Sequence, residues 1–497
     1  MRKSIAGAAT ATYEVSTVGP PSTPAFWRCY SSAVAKMTSA AALLRNSAAA
    51  LCMTAAALAS RAEASPESEV ASAFDTGDKL DLHLRIEYRF TSHRAAIKRE
   101  LSGLPGADPD GPVPLVKDLV VQRSRHEVVP RLELGVFTDV AVTAALPVVL
   151  SDRRRLELDQ REGDACVFPA DPGMANCIDR SNSTTIRDGI LSPEGFDAGG
   201  GTLDPDGATI FRGVDRSGLD QLHLGLVWAP MNQERDPTKP TWKIGAELRV
   251  AVGRTMRLDR DDPDSSAGVS RGIHELRLYT TMARRLAWAE PFFDIYWQGA
   301  VATRDGAPLD SPSPAFGSQQ TGPQQLAGGR FGFEAIAWES DSGTERVGVL
   351  LAGRLEAHFE GRDYTDLWEV LAYGGDASAG GPLALDADPV ADGSQTVSHP
   401  GVSNVENFLT LGGQAGVAAH LGPRIRFDLS FAVDWDQSHL LTFADPGVDS
   451  DDAGDIVDPG TAEVNPLHAP LIDTSGRRYR IDQAFDYALL SGFRLLL

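Results

Sequence analysis

The chain has 497 residues and a formal net charge of -22, with 68 Asp and Glu against 46 Lys and Arg. Because phosphate binding needs a basic surface, this excess of acid argues against a nucleic-acid partner. The sequence contains no apolar run long enough for a membrane-spanning helix, about eighteen residues, which excludes a bundle of such helices. The length allows either two or more soluble domains or one large β-barrel with long loops.

The first feature along the chain has the order and composition of a secretory signal peptide, over residues 37–64. A flank with Arg45 precedes the apolar run 47–59, and the small-residue stop Ala62-Glu63-Ala64 follows it. We expect Met37 to be the true start, residues 1–36 to be a mis-assigned, disordered extension, and residues 37–64 to direct Sec export. The alternative is a short Ala-rich helix of a soluble protein. Residues 65–78 are predicted to be a short periplasmic tether.

Cysteine usage fits an exported protein. Cys29 and Cys52 lie in the part expected to be absent from the mature chain, which leaves Cys166 and Cys177 in a polar segment. An even pair in an exported chain predicts a loop disulfide between them. The two Cys have no CxxC spacing and no His nearby, so a zinc site is not indicated. We predict no metal ligand and no cofactor.

Strict alternation of apolar and polar residues begins at Lys79 and recurs to the end of the chain. It is cleanest where Ile425, Phe427, Leu429, Phe431, Val433 and Trp435 alternate with Arg426, Asp428, Ser430, Ala432 and Asp434. A period of two is typical of a β-strand whose faces meet different surroundings.

The runs predict twelve strands within residues 79–497. They lie near 79–91, 123–137, 139–150, 219–229, 241–253, 271–285, 291–302, 328–339, 345–360, 404–420, 423–437 and 478–497. In the run 328–339 the apolar residues change face between Phe333 and Ile336, which predicts a β-bulge.

The gaps between the predicted strands alternate between short and long, as expected of an all-β, antiparallel, up-and-down transmembrane barrel with short periplasmic turns and long extracellular loops. Both ends of the mature chain then lie in the periplasm. Tryptophans support this arrangement because their rings favour membrane interfaces. Trp228, Trp242, Trp288 and Trp338 fall at predicted periplasmic ends, and Trp435 falls near an outer end.

The last strand, 478–497, carries an apolar ribbon opposite small and charged residues. Its tail resembles the C-terminal insertion signal of bacterial outer-membrane β-barrel proteins, the porin-like class, with Gly492 followed by Leu495 and Leu497. The chain differs from that signal in ending on Leu497 and in having Leu490 before the glycine. The resemblance implies the bacterial outer membrane as location, the barrel-assembly machinery as partner, and membrane lipid and lipopolysaccharide as surroundings.

If the apolar ribbon of each strand faces lipid, the polar ribbon lines the lumen. The predicted lumen residues carry both signs: Arg85, Glu87, Arg89, Arg131, Glu133, Lys243, Glu247, Arg249, Arg277, Arg354, Glu356, Arg424, Arg426, Asp428 and Arg494. A water-free interior would not tolerate this many charged side chains, because the desolvation of each costs several kcal/mol. We therefore expect a wet interior.

The favoured function is a narrow pore for small solutes or ions, gated or partly blocked by loops. The alternative is a closed, salt-bridged barrel that acts as a surface scaffold or receptor through its outer loops. A weaker alternative is an outer-membrane lipid hydrolase, but the sequence has neither a G-x-S-x-G nor an H-E-x-x-H motif, so an enzyme is not predicted and no catalytic residue is assigned.

Overall fold

The computed structural model describes residues 68–75, 78–102, 112–161, 177–310, 322–386, 396–449, 457–458, 461 and 463–497. All described residues belong to one compact unit within residues 60–497. The extension predicted over 1–36 and the signal peptide predicted over 37–64 lie outside the described residues.

Twelve long strands of the described chain form a closed antiparallel barrel, which confirms the predicted fold class. Each strand pairs with its neighbours in sequence, and β12 pairs with β1 to close the ring. The strands are β1 Leu82–Glu100, β2 Leu115–Phe137, β3 Val140–Ala145 with Val148–Leu158, β4 Gln221–Met231, β5 Thr241–Ala251, β6 Ile273–Ala283, β7 Ala289–Thr303, β8 Leu326–Glu339, β9 Arg346–His358, β10 Phe408–Leu421, β11 Ile425–Asp436 and β12 Tyr479–Leu496.

The connections carry short elements. Three α-helices occur in the described residues: α1 Thr184–Arg187, α2 Trp368–Gly374 and α3 Pro470–Asp473, with a 3₁₀ turn at Pro263–Ser266. The short strands are Ala73–Asp75, Asp78–Leu80, Phe196–Asp197, Thr209–Arg212, Arg216–Leu219, Gly361–Asp363, Leu385–Asp386, Thr396–Val397, Ser403–Val405 and His439–Leu440. No helix of the described chain has the length and apolar character needed to cross a membrane.

The outer face of the barrel is apolar. Large apolar side chains alternate with inward residues and stay exposed to the surroundings, among them Ile86, Leu132, Leu226, Leu248, Leu278, Ile295, Phe331, Leu351, Val417, Leu429, Phe431 and Leu489. In water this belt would be unfavourable, whereas lipid tails cover it, and the closed ring leaves no strand edge unpaired in the hydrocarbon.

The bulge expected in the eighth strand is present. The register between β8 and β9 shifts between Ile336 and Trp338, so that Phe331, Phe333 and Trp338 are all exposed on the outer face. The extra residue corrects the phase of the alternation, which explains why the sequence pattern appears to change face.

The first three strands are longer than predicted. β1 continues to Glu100 instead of 91, β2 begins at Leu115 instead of 123, and β3 continues to Leu158 instead of 150. Part of each extension packs into a second core beyond the barrel, and in β1 the residues Ala95, Ala96 and Ile97 are buried on both faces. The alternation that reports a two-sided strand is therefore lost there.

This second core belongs to the outer loops, and we call it the outer cap. It joins the extended ends of β1, β2, β3 and β12 to side chains of α1, α2 and α3, including Ile97, Leu156, Ile186, Leu371, Ile472 and Tyr479. The long loops are thus a packed domain on the barrel and not only polar segments.

A pair of substitutions in β11 tests the two-sided wall. Phe431 is exposed on the lipid side, and its neighbour Ala432 lines the interior. We expect Phe431→Lys to lower the unfolding free energy in lipid vesicles by about 2–4 kcal/mol, as for lysine at the bilayer midplane. Ala432→Lys should lower it much less, because its ammonium remains in water. Guanidinium unfolding followed by heat-modifiable gel migration measures both; equal losses would contradict the assignment of the faces.

Candidate functional site

In the part of the chain that the structure describes, the inner wall of the barrel encloses two cavities, of about 490 Å³ and 830 Å³. They are contiguous, because both are lined by the same central group of side chains: Arg85, Glu87, Arg89, Arg249, Arg277, Asp294 and Arg330. A twelve-stranded barrel lies between small barrels filled by their own side chains and porins of sixteen or more strands with open channels. The lumen is therefore partly filled and partly open.

Most of the predicted lumen residues lie on the walls of these cavities. They are Arg85, Glu87, Arg89, Arg131, Glu133, Lys243, Glu247, Arg249, Arg277, Arg354, Glu356, Asp428 and Arg494. Arg426 is buried and faces inward, where it contacts Glu69. Arg424 is a correction: it is exposed in the turn 422–424, because β11 begins only at Ile425.

Ion pairs around the interior join residues of the same strand or of strands that lie two apart in the ring. Arg354 on β9 contacts Glu356 at 2.7 Å and Asp434 of β11 at 2.9 Å. Arg85 on β1 contacts Asp428 of β11 at 3.2 Å, and Arg249 contacts Glu247 at 2.8 Å. These contacts offset much of the desolvation cost of the charges. They also fix the side chains, so that the free space has a defined shape.

Arg277 is an exception in this network. Its guanidinium carbon lies 4.1 Å from the centre of the Tyr296 ring, a cation–π contact. Among the described residues no carboxylate forms an ion pair with it, and it lines both cavities. Arg277 therefore presents a positive charge at the junction of the two cavities.

The inner mouth of the barrel is occupied by residues 68–73, which we call the N-terminal plug. Its Ala71 N–H donates to Glu133 of β2 at 3.0 Å, and the hydroxyl of Ser68 donates to Glu290 of β7. The hydroxyl of Ser72 accepts from the backbone N–H of Asp139 at 3.0 Å. All these partners lie at the periplasmic ends of strands, so the plug crosses the mouth.

Glu69 is the central contact of the plug. Its carboxylate accepts hydrogen bonds from Arg426 and, at 2.7 Å, from Arg494, which belong to β11 and β12. Lys243 of β5 donates to the Glu69 carbonyl at 3.3 Å. Glu69 thus joins the plug to cations on opposite sides of the mouth, through its carboxylate to β11 and β12 and through its carbonyl to β5. The prediction of a tether over 65–78 does not anticipate these contacts; residues 65–67 and 76–77 lie outside the described residues.

The outer side of the lumen is covered by the connection between β9 and β10, which carries α2. Asp366 accepts from His93 of β1 at 3.1 Å, and His93 also contacts Asp486 of β12 at 3.1 Å. Glu369 forms a buried ion pair with Arg216 at 2.6 Å. The Arg216 guanidinium lies 4.6 Å from the Trp368 ring. These contacts fix α2 against the extended walls of the barrel.

Sequence reasoning missed Glu69, Asp366 and Glu369. Each lies outside the alternating runs, so nothing in the period-two pattern singles it out. Two histidines of the inner wall contact carboxylates: His223 lies 3.5 Å from Glu247, and His358 lies 3.0 Å from Glu356.

The remaining predicted residues are placed as follows. Trp228, Trp242, Trp288 and Trp338 lie at periplasmic strand ends or turns, and Trp435 lies near the outer end of β11. Cys177 is disulfide-bonded, and Cys166 lies outside the described residues. Gly492 packs on Asp428, Leu495 pairs with Ile425 and Leu84, and Leu497 hydrogen-bonds to Leu82. Their role as an insertion signal stays a prediction.

The closed antiparallel barrel, its apolar outer belt and its charged interior define a class. Strands of a closed barrel cross the outer membrane of double-membraned bacteria with apolar side chains outward and polar ones inward. The chain is an outer-membrane β-barrel protein.

Neither a protein-family model nor a curated protein matches this sequence. Among solved structures, the chain is similar to an outer-membrane channel from Pseudomonas putida F1, with 9% identity, coverage of 88% of this chain and 100% of that one, and a TM-score of 0.37. It is also similar to a FadL homologue of Pseudomonas aeruginosa, with 8% identity, coverage of 84% and 90%, and a TM-score of 0.29.

The outer-membrane protease OmpT of Escherichia coli is a further similar structure, with 7% identity, coverage of 87% and 100%, and a TM-score of 0.28. These TM-scores are all low, and the similar structures include both a channel and a protease.

Substitution of Glu69 tests how the plug is held. We expect Glu69→Gln to loosen residues 68–73, because Arg426 and Arg494 would lose the charge between them; breaking a buried ion pair typically costs about 3–5 kcal/mol. The measurement is the labelling rate of a Val70→Cys reporter by a water-soluble maleimide, which should rise at least tenfold with Glu69→Gln.

Asp236→Asn is the matched control, because Asp236 lies in a periplasmic turn and contacts Thr238 and Lys239, not the plug. Its labelling rate should equal that of the reporter alone. A Glu69→Gln rate no faster than this control would show that the ion pairs do not hold the plug.

Proposed function

We propose that the barrel is a narrow channel for small hydrophilic solutes or ions, closed at its inner mouth by the N-terminal plug. The observation that carries this proposal is the pair of contiguous, charge-lined cavities inside the ring. In a barrel that serves only as a rigid scaffold, such cavities would have no role, because cavities lower stability relative to well-packed side chains.

The distribution of charge supports small polar solutes over apolar ones. Among the described residues, the wall of the smaller cavity has eight Lys or Arg and six Asp or Glu. The wall of the larger cavity has six Arg and eight Asp or Glu. A solute passes from a region of excess positive charge to one of excess negative charge, so dipolar or weakly charged solutes fit the path better than ions of high charge.

The contacts of the plug support its role as a gate. It is held mainly by polar contacts, and its apolar packing is small, limited to Val70 and Ala71 against Ala141 and Ala229. Polar contacts can be exchanged for water at low net cost, whereas a large apolar interface cannot. Release of residues 68–73 would join the smaller cavity to the periplasm.

The alternative is a closed barrel that serves as a surface scaffold or receptor. The observation that favours it is the outer cap, whose buried core presents a stable surface outside the membrane. The two functions differ in whether solutes or ions ever cross the ring.

Planar-bilayer recordings of the purified chain separate the two functions. We expect rare, brief openings with the unchanged chain and at least a fivefold higher open probability with Glu69→Gln, because the released plug leaves the inner mouth. Asp236→Asn should match the unchanged chain. If neither the unchanged chain nor Glu69→Gln conducts at any voltage, the scaffold function is favoured.

Reversal of the unpaired charge in the lumen gives a second, independent measurement. Since Arg277 lacks an ion-pair partner among the described residues, Arg277→Glu should shift the reversal potential in a salt gradient toward cation selectivity. Arg153→Glu is the control, because Arg153 is exposed outside the lumen and contacts Asp215. An unchanged reversal potential in an open Arg277→Glu channel would place the ion path elsewhere.

A further inference from the structure

The outer cap contains a cavity of its own, of about 560 Å³, separate from the two in the barrel. It lies between the segments 257–261 and 306–310, the short strand Gly361–Asp363 and residues 397–400. This volume is within the range of small-molecule sites, about 300–1,000 Å³. None of the residues that line the two cavities of the barrel also lines this one.

Arg362 is the unusual group in this cavity. Its side chain is 5% exposed, and Nη2 donates to the Pro308 carbonyl at 3.1 Å. Among the described residues no Asp or Glu pairs with it, and burial lowers its pKa to about 10. In contrast, the buried Arg216 and Arg99 of the same cap pair with Glu369 and Asp188.

A buried arginine without a carboxylate is costly, because its charge is taken out of water without compensation. In a chain with a net charge of -22, acidic partners are abundant. Arg362 faces a cavity where a buried arginine would normally contact an acidic side chain, so it is suited to bind an anionic ligand. Its planar guanidinium can donate two hydrogen bonds to one carboxylate.

His399 adds a second donor beside Arg362. It is 5% exposed, and its Nδ1 accepts from the Gly401 N–H at 2.9 Å, so the proton of the neutral ring is on Nε2. Burial lowers the pKa of His399 to about 4, so the ring is neutral near pH 7. The described residues give Nε2 no acceptor, which leaves its N–H available for a ligand in the cavity.

The remaining wall limits the kind of anion. Leu258, Leu385, Val397 and Pro400 supply apolar surface for the body of a ligand. The carboxylates on the rim have partners: Asp310 accepts from Thr303 and the Gly306 N–H, and Asp376 accepts from Ser378. The wall holds three Arg and four Asp among its described residues, so ligands of high negative charge are repelled.

We propose that this cavity is a binding site for a small organic monocarboxylate, with the carboxylate on Arg362 and His399 and the apolar body against the leucine and valine side chains. The site faces the outside of the cell and is independent of whether the barrel conducts. It makes the outer cap a receptor surface for a small carboxylic acid.

The test is isothermal titration calorimetry of the purified full chain with three water-soluble probes: benzoate, its neutral match benzamide, and inorganic phosphate. Benzoate should bind saturably at one site per chain, and benzamide and phosphate should each bind at least tenfold more weakly. Absence of saturable benzoate binding, or equal binding of benzamide, overturns the proposal without any variant.

Variants locate the site. Arg362→Gln should weaken benzoate binding at least tenfold, Arg362→Lys should weaken it less because the charge is kept, and Arg153→Gln should leave it unchanged. Heat-modifiable migration establishes that each variant retains the barrel. If Arg277→Gln abolishes benzoate binding and Arg362→Gln does not, benzoate sits in the lumen and the proposal fails, while the channel function is untouched.

Discussion

The contact of a closed hydrogen-bonded ring with hydrocarbon is the constraint on which the rest of this structure depends. Every backbone N–H and C=O at membrane depth needs a partner within the protein, and pairing of β12 with β1 supplies the last of them. Once the ring is closed, each strand has one face toward lipid and one toward the interior. The apolar belt and the charged interior are two results of the same geometry.

The interior shows how charges can be stable inside such a ring. Arginines contact carboxylates of the same strand or of a strand two positions away in the ring, as Arg354 of β9 does with Glu356 of β9 and Asp434 of β11. The same chemistry holds the N-terminal plug through Glu69. The N-terminal plug is thus held by the same kind of ion pair that crosses the interior of the barrel.

The barrel could be predicted because its residues meet two different surroundings in strict alternation. Even the bulge at Ile336–Trp338 was visible in the sequence, because it changes the phase of that alternation. Where both faces are buried, as at Ala95–Ile97, the pattern disappears and the strand extension was missed. Arg424 was misplaced because it continues the polar alternation of β11 toward the N-terminus. It lies instead in the turn with Gly422, whose φ is 68°, and β11 begins one residue later, at Ile425.

The candidate sites were harder to predict than the wall. Glu69 and Arg362 contact partners far away in the sequence, and only the fold places His399 beside Arg362, so no local periodicity reports these contacts. Their chemistry becomes visible only when the fold brings a charge together with its counter-charge, or leaves it without one.

The core of the outer cap contains side chains from both ends of the barrel sequence. Ala95 and Ile97 come from β1, whereas Tyr479, Ile481 and Ala484 come from β12, the last strand of the barrel in chain order. Burial of these residues requires the first and last strands to lie side by side. The outer cap can therefore pack only after β1 and β12 have paired. A chain in which this pairing fails would leave the apolar side chains of the cap exposed to proteases outside the cell.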